Sequence, residues 1–584
     1  MCRSLVRRIE TDVGIVCGGV LLVVEPVGGV ALNERGLRLG VLLDSDQVPA
    51  WMYHALEQVV RSGCAEFSLL VLDDRRPPQK RTLGRLWNAR HEVGYRILSA
   101  LDERLFPSEP DALAPRSALE LLPDVPVLEV SPNQWSRSEW PGASVADKIR
   151  ARGVDILVDA TGRVPCGSIL DAARYGVWSY YHSDDRAKRG GPPGFWEAVN
   201  NWPETGTTLH CRGGRWGDST VLYRSWFGTY PFSPARNRNR CLWASSSFLA
   251  RQIALLHRVG EEVFLAEISG YSDGVDVYDG QQYRTPSNLR AAWLAAGLLT
   301  RILVEIQQRM SRLVTWYLMF DLTDDISAEL CEFGQIKPTK DRFWADPMVV
   351  HRDSRYYVFV EEYMYQAQKA HIAVIEMDQQ GQYTGPVPVL EESYHLSYPF
   401  VVEWQERFWM VPESAENHTI DLYECVEFPS QWRFVMTMMK DVQAVDTTLL
   451  YHESRWWLFT AMAENEGSFP EVELFLFYAD ELVTHEWTPH PQNPIVSDVK
   501  RARPAGKIFS RNGRLYRPSQ DGSKLYGHGF DLNEILCLSE TEYAERTAAS
   551  VRPRWDRKVL GTHTFAREGQ LTVIDALTRR RRLF

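Results

Sequence analysis

The chain has 584 residues, 44% of them hydrophobic, and a formal net charge of −11. That length exceeds what one core can organise and predicts two or three domains, while the mild acidity leaves no electrostatic footprint for a nucleic-acid partner. Nine cysteines without a CxxC pair exclude a disulfide framework and a zinc site; they predict reduced thiols of a cytoplasmic protein, with no metal centre.

Residues 1–35 form an N-terminal extension. Arg3, Arg7 and Arg8 precede VGIVCGGVLLVV, the order of a signal peptide, but Glu10 and Asp12 intervene and no small-residue cleavage site follows. The apolar run is too short to span a bilayer. A strand-forming or poorly ordered extension is the preferred reading, with secretion as the alternative. No later segment reads as transmembrane.

Residues 36–235 read as an α/β domain. LRLGVLLD is a buried strand, VPAWMYHALEQVVRSG a helix and FSLLVLDD a second strand, the rhythm of a parallel sheet. No GxGxxG follows the first strand, so a dinucleotide fingerprint is absent. A helix ends near Leu105. DILVDATG is a further buried strand, SILDAARYG a short helix, VWSYYH another strand, and TGTTLHC and STVLYRSWF complete the unit. Residues 236–314 read as a helical connector, with Ser287-Asn288 expected to cap its last helix.

Residues 315–584 repeat one hairpin. Copies begin at Asp346, Tyr398, Asp446, Pro504 and, more loosely, His563, a period of roughly fifty to sixty residues. Short strands with polar turns at such a period predict a propeller, here of five blades. The last copy has only two strands before the chain ends, so the strand near Trp316 is expected to complete its blade and close the ring. Aromatic return strands, such as Trp456-Trp457, read as packing between wedge-shaped blades.

Hairpin pairing brings the start of each inner strand and the end of its return strand to one mouth of the ring. Asp346, Glu361, Glu362, Glu413 and Asp446 fall at those ends, with Arg503 and His563 from the later blades. Collecting like charges at a narrow channel is unfavourable. It points to a polar ligand there, a sugar, with at least one carboxyl titrating high.

Two resemblances follow from quoted motifs. DILVDATG, Gly176-Val177, Arg189-Gly190 and Thr205-Gly206-x-Thr208-x-His210 stand in the order found in folate-dependent formyltransferases, over roughly residues 37 to 235. That resemblance implies a Rossmann-like fold and 10-formyltetrahydrofolate as one-carbon donor. It also implies an oxyanion donor, a proton-carrying His and an Asp that orients it. Ser179 stands at the donor position. His182 and Asp218 each lie one residue beyond the His and Asp positions, and Arg189 is carried over as a substrate-binding residue. A one-residue offset turns a side chain to the other sheet face, so His182 serves only if the strand end bulges. If it serves, it lies within hydrogen-bond reach of Asp218.

FWADP, EESYHLSYPF, VPES, AVDTT, NPIVSDVKRARPAG and GRLYRPSQD resemble the N-terminal domain of glucosamine inositolphosphorylceramide transferases. The fold so implied is similar to the five-bladed glycoside hydrolases of the arabinanase and invertase kind. By that likeness Asp346 is the base or nucleophile, Glu413 the acid and Asp446 an orienting or transition-state-stabilising carboxylate. Glu361, Glu362, Arg503 and His563 are then substrate-binding groups.

Two functions are therefore expected. One is an enzyme of surface-glycan or glycolipid biosynthesis, with formyl transfer to an amino sugar in the α/β half and glycan binding or processing in the propeller. The other is a non-catalytic carbohydrate-binding scaffold with a degenerate formyltransferase fold.

Overall fold

A computed structural model describes residues 36–73, 90–130, 143–162, 166–183, 189–217, 219–272, 282–323 and 330–582. The extension 1–35 and Asp218 lie outside them. The chain divides into two compact units, one ending at Arg301 and the other running from Ile302.

The first unit is built on a seven-stranded sheet. In spatial order its strands are Thr220–Gly228, Glu204–Arg212, Val177–Tyr181, Ile156–Asp159, Leu37–Leu43, Ala65–Asp73 and Val127–Val130. The last five run parallel to one another, and the first two form an antiparallel hairpin on that edge. Ile156–Asp159 is buried at every residue and Leu37–Leu43 at all but one, as strands covered on both faces must be. Helix Pro234–Ser245 starts on Ser233, whose Oγ accepts from the Arg236 amide at 3.1 Å. Asn288 opens the helix Asn288–Ser311, yet its side chain does not cap it. Its Oδ1 accepts from the Gly94 amide and its Nδ2 donates to the Arg90 carbonyl, tying it to the helix Val93–Leu105.

The second unit is a five-bladed propeller. Four blades are the sheets spanning residues 342–390, 397–440, 443–497 and 509–551. The fifth is closed from both ends of the unit. Its inner strands, Phe565–Glu568 and Leu571–Arg581, are joined by Arg312–Leu322 and Gly334–Ile336. Arg312–Leu322 and Leu571–Arg581 pair without a break, Trp316 opposite Leu577, which is the expected closure. Blades one to four turn their inner hairpins with two residues at positive φ: Asp353-Ser354, Gln405-Glu406, Glu453-Ser454 and Asn512-Gly513. Such turns match the twist of the paired strands.

A second repeated device sets the ring's mouth. The inner strands of blades one, two and three each carry a bulge, with Asp346, Tyr398 and Asp446 at φ 50, 39 and 52. The bulge re-aims these side chains from the pleat toward the ring's centre. Blade four has Gly506 nearby at φ 139, where a Cβ would meet the Phe565 carbonyl oxygen at 2.0 Å. Gly506→Ala is therefore expected to destabilise the propeller by roughly 2–6 kcal/mol, read by chemical denaturation. A loss below half a kcal/mol would show that the backbone there relaxes freely.

Candidate functional site

At the propeller mouth the structure assembles two clusters of charge. The first is built on His563, whose ring lies between two carboxylates. Its Nε2 is 3.1 Å from Asp346 Oδ1 and its Nδ1 is 2.7 Å from Asp575 Oδ2. Thr564 Oγ1 donates to Asp346 at 2.9 Å, and the Tyr398 amide donates to its other oxygen at 3.3 Å. The amides of His563 and Thr564 donate to Asp575. Burial opposes a charge on His563, but Asp575 and then Asp346 outweigh it and raise the ring to about 10. Burial likewise opposes ionisation of Asp346, and the His563 cation and the His563 and Thr564 hydrogen bonds hold its carboxyl below the ordinary range. Glu361 lies close by, 3.3 Å from His395 Nε2, and burial pushes it up.

The second cluster is built on Arg503. Its Nε donates to Asp446 Oδ2 at 2.5 Å, and its Nη2 reaches Asp446 Oδ1 at 3.3 Å and Glu413 Oε2 at 3.4 Å. Gln520 donates a further 2.6 Å bond to Asp446, and the Asp446 amide donates to Glu413. Burial, then repulsion from Asp446, pushes Glu413 well above the carboxylate range, and Arg503 only partly offsets this. The two carboxyls are thus shifted in opposite directions, Asp346 down and Glu413 up, the separation that acid–base chemistry uses.

Asp346, Glu413, Asp446, Arg503, His563 and Glu361 all belong to this mouth. Glu362 does not. As the next residue on its strand it faces the other way, accepting from Trp344 Nε1 and Arg342 and pairing with His371 Nε2 at 2.9 Å. It is a carboxylate clamp inside the first blade rather than a ligand-binding group. The sequence reading missed Asp575, Tyr398 and Gln520. The one signal for Asp575 was a carboxylate within the apolar run LTVIDAL. Asp346, His563 and Asp575 offer ligand atoms within 4.8 Å of one another, a set that could hold a metal ion. His563 already supplies the cation between those two carboxylates.

The α/β unit splits its expected site between two faces of the sheet. Ser179 turns toward Asp159, donating to Oδ2 at 3.4 Å, and is paired across the strands with His210. His210 Nε2 is 2.8 Å from Thr208 Oγ1, and its ring is 4.7 Å from that of Tyr181. His182 turns to the other face. Its ring stacks on Tyr180, meets Trp51 edge-on at 5.0 Å and has Cys241 Sγ 3.8 Å from Nδ1. Its Nε2 is enclosed without a hydrogen-bond partner, and burial pushes the ring down to about 3. The strand end does not bulge to bring His182 back, so the residue expected as proton carrier is a neutral packing group. Asp218 and the side chain of Arg189 fall outside the described residues; the Arg189–Gly190 backbone pairs with Gln282–Tyr283. Asp159 is the unanticipated member: burial raises it to about 6 against hydrogen bonds from Thr161 and Ser179. A 10-formyltetrahydrofolate site of the family's kind needs an amide or equivalent donor and a proton-carrying His together. Ser179, Asp159 and His210 share a face, but His182 cannot join them.

Five blades, four of them four-stranded and the third five-stranded, around a mouth of paired charges define the second unit as a five-bladed β-propeller with an acidic axial site. Residues 330–574 match the family described as glucosamine inositolphosphorylceramide transferase 1, N-terminal. Glucosamine inositolphosphorylceramide transferase 1 of Oryza sativa subsp. japonica is 32% identical over 206 residues, 35% of this chain. The match spans only 27% of that relative's length. Among solved structures, a family 117 glycoside hydrolase of Zobellia galactanivorans is 8% identical with a TM-score of 0.31, covering 45% of this chain and 90% of that one. Glycinamide ribonucleotide transformylase 1 of Symbiobacterium toebii is 17% identical with a TM-score of 0.24, covering 42% and 92%. Among the described residues no helix is long and apolar enough to cross a membrane.

Proposed function

We propose that the propeller binds and processes a carbohydrate at its axial mouth, in the assembly of a surface glycan or glycolipid that carries an amino sugar. The observation that carries this reading is the meeting of Asp346 and Glu413 in one buried mouth, the first carboxyl shifted down by the His563 cation and the second pushed up by burial. Each is fixed by its own hydrogen-bonded cluster. Glu413 is then the proton donor to a leaving oxygen, Asp346 the base or nucleophile, and Asp446 the group that orients Arg503. The matched family's name supports a glycolipid as substrate class. A cytoplasmic setting belongs to the same proposal, supported by the buried thiol of Cys211, which forms no disulfide.

The test is Asp346→Asn and Glu413→Gln, assayed on glucosamine-bearing glycolipids for both binding and turnover. Binding is expected to stay within about threefold while turnover falls by about 10²-fold or more. Unchanged turnover in both variants would remove the site from the chemistry.

A second reading is favoured by one observation, the convergence of Asp159, Ser179 and His210 on one sheet face beside strand ends. We propose that any formyl transfer from 10-formyltetrahydrofolate to an amino sugar in the α/β unit depends on this row and not on His182. Asp159→Asn is expected to abolish formylated product, detected by mass spectrometry, while His182→Phe retains it. Failure of the protein to bind the folate donor would leave the α/β unit as a non-catalytic scaffold.

A further inference from the structure

The two charged clusters share one neighbour that neither the repeat nor the carboxylate pattern singled out. Tyr526 lies in the turn between the blade-four strands Arg514–Asp521 and Gly529–Leu538. Its hydroxyl is 3.3 Å from His563 Nε2, and its ring lies over the Arg503 guanidinium at 5.1 Å. It therefore touches the centre of each cluster.

Its exposure is unlike theirs. Asp346 is 3% exposed, Asp446 0% and His563 1%, whereas Tyr526 is 53% exposed. A tyrosine serving only to seal an ion-pair cluster would bury its ring. Here the hydroxyl and one face are engaged and much of the ring remains open to water, where an apolar face gains by being covered.

The turn that carries Tyr526 is held in place. Gly527, at φ 69, packs so closely that a Cβ would meet the Trp316 ring at 2.6 Å. A Cβ on Gly561 would meet the Gly527 carbonyl oxygen at 2.0 Å. Trp316 in turn lies 4.3 Å from the His563 ring and edge-on to Tyr526 at 6.5 Å. The aromatic is thus preorganised on a rigid support, as a recognition residue needs to be.

We propose that Tyr526 is the sugar-stacking, specificity-setting residue of the mouth, an inference that rests on the carbohydrate reading of that site. The ligand class is an amino pyranose with equatorial substituents, stacked through the ring face that carries the axial H2 and H4, which an axial C2 substituent would block. Stacked on the free face of Tyr526, it places its hydroxyls or amine beside the Arg503 and His563 clusters. An axial substituent on that face lifts the ring away. The site therefore favours gluco- over manno-configured amino sugars.

The experiment measures binding of methyl glucosaminide and methyl mannosaminide by saturation-transfer NMR to the full chain. Wild type is expected to prefer the glucosaminide. Tyr526→Ala weakens its binding by about tenfold and erases the preference, while Tyr526→Phe and Tyr526→Trp stay within about threefold of wild type. Tyr526→Ala binding like wild type, while Asp446→Asn loses binding, would overturn the stacking role and leave the carbohydrate mouth standing. Binding of neither sugar by wild type would overturn both.

Discussion

Replacing Arg503 by methionine is expected to destabilise the propeller by about 3–5 kcal/mol and to abolish the carbohydrate binding proposed for its mouth. Arg503 has 13% of its side chain exposed and is shared between Asp446, 0% exposed, and Glu413, 13% exposed. Removing it leaves a buried anion whose remaining side-chain donor is Gln520. An uncompensated buried charge is far more unfavourable than a missing hydrogen bond. The loss is read by urea denaturation, and its origin by a triple variant. Adding Asp446→Asn and Glu413→Gln to Arg503→Met removes the stranded charge and is expected to restore more than half of the stability. A single variant as stable as wild type would show that water reaches the cluster freely.

The second large effect is on pH. His563 is raised to about 10 in the folded chain from 6.5, so the folded state holds the proton more tightly. That stabilisation is fully present below about pH 6.5 and is lost as pH rises through about 10, a difference on the order of 5 kcal/mol. Glu413, also raised, acts with the same sign from its ordinary value upward. Propeller stability is therefore expected to fall steadily from neutral pH to pH 10, rather than to stay level. His563→Gln should lower stability at pH 7 and flatten the slope. Hydrogen exchange of the strand Leu571–Arg581 localises the effect, since Asp575 on that strand is the partner that loses its cation. A wild-type profile flat to pH 10 would show that His563 is neutral at pH 7.

How much of this was legible in the sequence depends on range. The blades were legible because each inner hairpin is local: Asp346 to Glu362 carries its own strands, turn and alternation. Even the closure by Trp316 followed from counting the strands left over. Asp346, Glu413 and Asp446 could be placed together because repeats put them in register. Asp575 could not, since it sits mid-strand where the pattern reads as buried core, and its partners arrive from the first blade and the preceding loop. Tyr398 was hidden because blade two puts an aromatic where blades one and three put a carboxylate. Its hydroxyl spans to Thr448 Oγ1 and the Gly506 amide at 2.8 and 2.7 Å. In the α/β unit the fold was legible from strand–helix rhythm, but the site turned on parity. His182 stands one residue past the strand Val177–Tyr181 and an odd number of residues from Ser179; it continues the alternation, stacking on Tyr180, and so faces the opposite way. Asp159, which does share the face of Ser179, looked like the end of a hydrophobic strand.

The strand that joins the two ends of the propeller also fixes the order in which it can be made. Trp316 waits for Leu577, about 260 residues later, so the ring's longest-range pairing is also its last to be synthesised. Blades one to four can each form a hairpin as they leave the ribosome, whereas the His563 cluster cannot exist until that final seam zips. During translation the edge of the strand Arg312–Leu322 that faces away from Gly334–Ile336 stands unpaired, open to mispairing with another nascent chain. The His563 half of the mouth is thus the last part of the propeller to become competent, and a propeller lacking the seam is left with the Arg503 half alone.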